Sequence, residues 1–153
     1  MVASAAMKHW NHLILLVLAA MFAMSIGCIP RRYDPAKATR NYPAELGQVE
    51  TVNMQVFQLS HSIRIVNASP QNYSDFDLWI NQRYMVHVDS LEAGQSIEIS
   101  MNDMWDVRGD GPNPGGWFRW YDPTPIRLVQ IQADQESPLI GLVAILPEDE
   151  RED

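Results

Sequence analysis

The chain has 153 residues, which is about the length of one domain, and its formal net charge is −8. From Glu45 onward it contains six basic and eighteen acidic residues, so this part carries a charge of −12. A surface of that sign repels nucleic-acid phosphates, and the composition therefore argues against a DNA or RNA partner.

The first element in the chain is an N-terminal segment with the three parts of a secretory signal. Residues 1–12 carry a single base, Lys8, and residues 13–24 (LILLVLAAMFAM) are uncharged. This apolar run is shorter than the about 20 residues that a membrane-spanning helix needs. The sequence predicts a signal peptide over residues 1–27.

The residues at the end of this segment are Ser25, Ile26, Gly27 and Cys28. They resemble the lipobox of bacterial lipoproteins, although the family commonly has Leu where Ser25 stands. The resemblance implies a precursor that is cut before Cys28, whose thiolate accepts a diacylglyceryl group. It implies further acylation, such as palmitate, because more than one acyl chain makes membrane attachment stable.

Cys28 is also the only cysteine of the chain, so it cannot form an intramolecular disulfide. A lone thiol in an exported protein needs an explanation, and lipidation supplies one. Ile29 stands where inner-membrane lipoproteins have Asp, which favours the outer membrane, with the domain facing the periplasm. Apart from the covalent lipid, the sequence predicts no cofactor.

An uncleaved membrane helix is the alternative interpretation of the same segment. Residues 13–30 contain no charge, and the bases that follow them would keep the domain of an uncleaved protein in the cytoplasm. The position of Cys28 favours the lipoprotein.

The next segment, residues 28–48, has the composition of a flexible linker. It contains three prolines, few apolar residues and four bases, which are Arg31, Arg32, Lys37 and Arg40. Bases next to anionic lipid head groups are each worth about 1 kcal/mol of attraction. The sequence predicts a basic tether whose charges either contact the membrane or remain in water.

Residues 49–147 show period-two alternation bounded by Asn, Gly, Ser and Pro, which predicts short strands. Seven segments fit, namely 51–59, 62–67, 76–80, 84–89, 96–101, 126–133 and 139–146. The expected fold class is all-β, an immunoglobulin-like antiparallel sandwich, with a small open barrel as the alternative. Residues 63–101 resemble the small immunoglobulin-like or fibronectin-type domains of bacterial lipoproteins. An acidic tail, residues 148–153, is expected to be disordered.

A long loop at residues 102–125 is the most unusual part of this domain, because it combines aromatic residues with glycines and prolines. Its aromatic side chains form either a platform for a glycan or a partner protein, or a cap over the core; they include Trp105, Trp117, Trp120 and Tyr121. Asp103, Asp106 and Asp110 offer oxygen ligands for calcium, but their spacing departs from the EF-hand and favours a structural turn.

A second candidate surface lies on the predicted strand at residues 76–80. Alternation places Trp79 on its outward face, together with Met85 and His87 of the next strand. This patch is expected either to dock a partner or to be covered by the aromatic loop.

Signatures of catalysis are sparse. After removal of residues 1–27 the chain keeps two histidines, His61 and His87, and no nucleophile elbow or paired-histidine motif accompanies them. The sequence therefore predicts a non-catalytic binding or structural module of the bacterial envelope, anchored to the membrane by lipid. The alternative is a lipoprotein that binds a glycan or another small ligand through the aromatic loop.

Overall fold

The computed structural model of the chain describes residues 32–115 and 122–145. Seven strands make up most of this part: β1 Gln48–Gln58, β2 Ser62–Asn67, β3 Tyr73–Ile80, β4 Tyr84–Leu91, β5 Ser96–Ser100, β6 Val129–Gln132 and β7 Leu139–Ile145. Helical residues in the described ranges are confined to three 3₁₀ turns, at Pro35–Lys37, Ala44–Leu46 and Met101–Asp103. The all-β prediction is confirmed.

The strands form one mixed sheet in the order β4-β3-β6-β7-β1-β2-β5. Every neighbouring pair is antiparallel except β1 and β7, which run parallel. The prediction of a purely antiparallel arrangement is therefore wrong for this one pair. Strand β1 pairs with both β7 and β2, and its register against β7 shifts between Thr51 and Gln55.

Alternation along the strands explains how the sheet encloses its core. On β3 the inward residues Phe76, Leu78 and Ile80 are buried, and Asp77 between them is partly exposed. β2 and β6 add Ile63, Ile65, Val129 and Ile131 to the same apolar cluster. Burying each such aliphatic side chain stabilises the fold by about 1.5–3 kcal/mol, which makes this cluster the main source of stability.

The β3–β4 hairpin turns at Asn81 and Gln82, which both have positive φ, +51° and +57°. Positive φ at both central residues is the requirement of a type I′ turn, which matches the twist of the strands it joins. The Asn81 side chain also accepts hydrogen bonds from the backbone N–H groups of Arg127 and Leu128. This hairpin turn therefore fixes the chain as it enters β6.

Residues 32–47 lie along the domain, and we call them the N-terminal strap. The backbone N–H of Asp34 donates to the carbonyl of Gly109 (2.7 Å), and that of Thr39 donates to Asp106 (3.0 Å). At the far end of the strap, Leu139 donates to Gly47 (2.9 Å). The sequence predicted a flexible tether here. In the structure these residues are hydrogen-bonded to partners that lie far along the sequence, which composition alone does not reveal.

Candidate functional site

Trp79 lies on the outer face of β3, as the alternation of that strand predicts. Its side chain is nevertheless 0% exposed, because the N-terminal strap covers it. The Tyr42 ring meets it edge-on at 5.5 Å, and the Arg40 guanidinium lies 4.8 Å from the indole centroid. Among the described residues, it is the strap that covers Trp79 on the surface predicted to dock a partner.

A hydrogen-bonded layer surrounds Trp79. Arg40 donates to Asp77 Oδ2 and to Gln132 Oε1, both at 2.7 Å, and the Trp79 indole N–H donates to the same Gln132 oxygen at 3.2 Å. The Tyr42 hydroxyl donates to Gln130 Oε1 at 2.9 Å. Buried polar groups are costly unless they are paired, and here each named group has its partner.

Sequence reasoning missed four members of this layer, which are Arg40, Tyr42, Gln130 and Gln132. The alternating VQIQ of β6 places the two glutamines on the face opposite the core, where a polar residue is expected to meet water. Both are buried because the strap lies over them. The one available signal was that two glutamines and Trp79 share a sheet face, which favours a covering element.

Met85 and His87 share this face on β4, at the edge of the layer. His87 is half exposed, with Nδ1 at 3.0 Å from Asp77 and Nε2 at 3.2 Å from Asp75 and 3.9 Å from Asp89. The hydrogen bond with Asp77 raises the pKa of His87 above its ordinary value; burial lowers it less, and the charges of the three carboxylates add to the rise.

The first part of the loop, residues 102–115, folds onto the domain. Trp105 forms a single antiparallel bridge with Met85 of β4, with N–H···O distances of 2.8 and 3.1 Å. The Arg32 guanidinium covers the Trp105 ring at 3.9 Å from its centroid. The Trp105 ring is thus stacked against the strap, and its backbone is hydrogen-bonded to β4.

Asp106 organises the turn that follows. Its carboxylate accepts hydrogen bonds from Arg83 (2.7 and 2.9 Å) and from the backbone N–H groups of Arg108 and Asp110. Burial raises the pKa of Asp106, but these hydrogen bonds and the Arg83 charge outweigh burial and leave the pKa lowered. The carboxylate is therefore held ionised as the centre of a structural turn.

The calcium hypothesis fits this geometry poorly. Asp106 and Asp110 both face Arg83, while Asp103 is exposed in a separate 3₁₀ turn. Within residues 32–115 and 122–145 no group of three or more His, Cys, Asp or Glu side chains is placed to hold a metal ion.

Several predicted site residues lie outside the described residues, namely Cys28, Trp117, Trp120 and Tyr121. The signal peptide, its uncleaved-helix alternative and the acidic tail also fall outside. Among the residues that are described, none belongs to a helix long and apolar enough to cross a membrane.

Comparison with known proteins identifies no relative of this chain. No protein-family model matches the sequence, and neither a curated protein nor a solved structure matches it.

Proposed function

We propose that this chain is a lipid-anchored module of the bacterial cell envelope, attached through Cys28 and acting as a non-catalytic binding or structural unit. The observation that carries the proposal is the position of the lone cysteine relative to the folded domain. Only Ile29, Pro30 and Arg31 separate Cys28 from Arg32, where the strap begins its contacts. A lipid at Cys28 would hold the domain directly at a membrane surface.

The contacts of the two described tryptophans favour such a module over a glycan-binding protein. Trp79 is fully buried under Arg40 and Tyr42, and Trp105 is stacked against Arg32. A sugar-binding platform requires exposed aromatic faces, and these two rings are already used in packing the protein against itself.

We also propose that the mixed sheet is an immunoglobulin-like sandwich. In this arrangement β4, β3, β6 and β7 form one layer, and β2 and β5 form the other. β1 joins the two layers, because it pairs with β7 on both sides of the register shift and with β2 from Met54 to Gln58. The support is the strand order, in which, among the described strands, β1 pairs with a member of each group. The proposed location is the periplasmic face of the outer membrane.

Mass spectrometry of the mature N-terminus in a bacterial host tests the anchor. We expect a chain that begins at Cys28 and carries a diacylglyceryl group and further acyl chains, with radiolabelled palmitate incorporated and the protein found in membranes. Cys28→Ala should lose the label. Ser25→Leu, which brings the segment closer to the family pattern, is the matched variant that should keep it. A chain that retains residues 1–27 and binds no lipid would contradict the proposal.

A further inference from the structure

An exposed surface lies where the strap meets the turn after Trp105. Tyr33 and Val107 are large apolar side chains that remain 61% and 43% exposed. They lie on neighbouring segments, since Tyr33 forms an antiparallel bridge with Asp110 and Asp34 is hydrogen-bonded to Gly109. The two exposed apolar residues therefore belong to adjacent segments of the domain.

Two bases border these apolar residues. Lys37 ends the 3₁₀ turn of the strap, Arg108 follows Val107, and both are exposed. Along the strap, Pro35 and Ala36 lie between Tyr33 and Lys37 and are also exposed. Asp34 in the same stretch is partly exposed and its side chain accepts the Ala36 N–H. We call this surface the basic patch: Tyr33, Pro35, Ala36, Lys37, Val107 and Arg108.

The charge of the remaining chain gives this patch a preferred partner. From Glu45 onward the net charge is −12, so most of the domain is repelled by an anionic surface. A polar-tipped aromatic side chain with bases around it is the combination that favours the head-group region of a bilayer. An acidic domain held at an anionic membrane is therefore expected to turn its basic side toward the lipid.

The length of chain before the strap brings the patch within reach of the lipid. Four backbone steps separate Cys28 from Arg32, and a fully extended chain covers about 14 Å in that distance. The strap is part of the folded domain from Arg32 onward, so it does not lengthen this connection. With the proposed lipid on Cys28, the length of the chain alone would keep Tyr33, the next residue, near the membrane surface.

We infer that the basic patch rests on the anionic head groups of the membrane, and that it fixes the orientation of the domain there. This inference depends on the proposed lipid anchor at Cys28. Anionic phospholipid is the single partner to which it commits.

The test uses the full-length protein, purified with its lipid and reconstituted into phosphatidylethanolamine vesicles with or without phosphatidylglycerol. Val107→Cys and Val143→Cys are each labelled with an environment-sensitive fluorophore, and quenching by spin-labelled lipid is measured. Val143 is the matched control, because it is a valine of nearly equal exposure (40%) on β7, where the far end of the strap is held. In phosphatidylglycerol vesicles we expect several-fold stronger quenching at 107 than at 143.

A charge-reversal variant addresses the electrostatic part of the inference. Lys37→Glu combined with Arg108→Glu should reduce quenching at 107 severalfold in anionic vesicles. Arg64→Glu, at an exposed base on β2, should leave it unchanged. Circular dichroism of each variant verifies that the domain is folded.

The possible failures are distinguishable. If mass spectrometry finds lipid on Cys28 but quenching at 107 equals that at 143, the orientation is wrong and the anchor stands. Equal quenching of the charge-reversal variant and the wild type would also overturn the role of the bases. If no lipid is present on Cys28, the proposed function fails, and the inference fails with it.

Discussion

Arg40 makes three contacts at once, and they differ in kind. Its guanidinium forms an ion pair with Asp77, donates to Gln132 and lies over the Trp79 ring. The side chains of the ion pair are only 23% and 21% exposed, so water screens the pair less than it screens a surface pair. Removal of Arg40 would also leave the buried Gln132 oxygen without a charged donor.

We therefore expect Arg40→Ala to lower the free energy of unfolding by about 1–3 kcal/mol, through the lost hydrogen bonds and the lost cation–π contact. Urea unfolding followed by circular dichroism measures the change. The control is Arg64→Ala, whose exposed pair with Glu98 at 3.8 Å should contribute less than about 1 kcal/mol. Equal losses for the two variants would show that the strap contact of Arg40 adds no more stability than an exposed ion pair.

His87 gives the fold a dependence on pH. Its ring faces Asp75 and Asp77 on β3 and Asp89 on β4, while Arg40 shares Asp77 from the strap. The Asp77 hydrogen bond raises the pKa of His87 in the folded state above its ordinary value of 6.5. The stabilisation is therefore fully present below pH 6.5 and is lost as the pH rises through the folded-state pKa.

Accordingly, we expect the stability difference between the wild type and His87→Gln to be largest near about pH 5.5 and to shrink toward about pH 8.5. The effect should be small, because the ring is half exposed and its charges are screened. Urea midpoints across this range measure it, and His61→Gln in the exposed β1–β2 turn controls for the loss of a histidine. A difference that grows with pH would reverse the assigned sign.

At the scale of elements, the strap and the turn at residues 106–111 depend on each other. The backbone of the turn accepts the Asp34 N–H at Gly109, and Gly109 has φ +80°. A Cβ at this position would overlap the backbone carbonyl of Asp34. Gly109 is therefore required both by its conformation and by the close approach of the strap.

Gly109→Ala should lower the free energy of unfolding by more than Gly94→Ala. Gly94 has a similar φ of +78°, but a Cβ there would meet no atom within 4 Å, so that variant isolates the cost of the backbone conformation. That cost is about 1 kcal/mol, and displacement of the strap should add to it in Gly109→Ala. Urea unfolding measures both variants, and faster amide exchange at Asp34 should accompany only Gly109→Ala. Equal losses would mean that the strap adapts without cost.

The elements also show which parts of the structure the sequence could predict. Strands such as β2 and β3 are local features, because Ile63 and Ile65, or Phe76 and Leu78, are separated by a charged residue, a pattern that needs no knowledge of the rest of the chain. The strap has no such periodicity. Its order comes from pairs as distant in sequence as Arg40 and Gln132, which a linker composition conceals.

The same distinction holds for the candidate site. Alternation correctly assigned Trp79 to the outward face, but outward does not mean exposed when another segment covers the sheet. For Trp105, glycines and prolines in the loop predicted irregular backbone but did not reveal that it pairs with Met85.

For the whole molecule, the strap changes where the folded domain begins. The compact unit extends from Arg32, because the strap contributes aromatic, ionic and backbone contacts to the face of β3 and β6. A domain that began at β1 would expose Trp79 together with the glutamines of β6. The anchor proposed at Cys28 and the folded unit are therefore almost contiguous.

Truncation distinguishes a strap that belongs to the fold from a passive tether. A chain that begins at Arg32 should unfold in one transition, whereas one that begins at Gln48 loses the contacts to Trp79, Asp77 and Gln130. We expect the shorter chain to be less stable by about 3–5 kcal/mol, as for the loss of a well-packed aromatic contact together with charged hydrogen bonds. Urea unfolding measures the loss, and tryptophan emission should shift to the red as Trp79 meets water. If both chains unfold at the same urea concentration with the same emission, residues 32–47 contribute nothing to the fold. They would then be a long linker between the anchor and the domain.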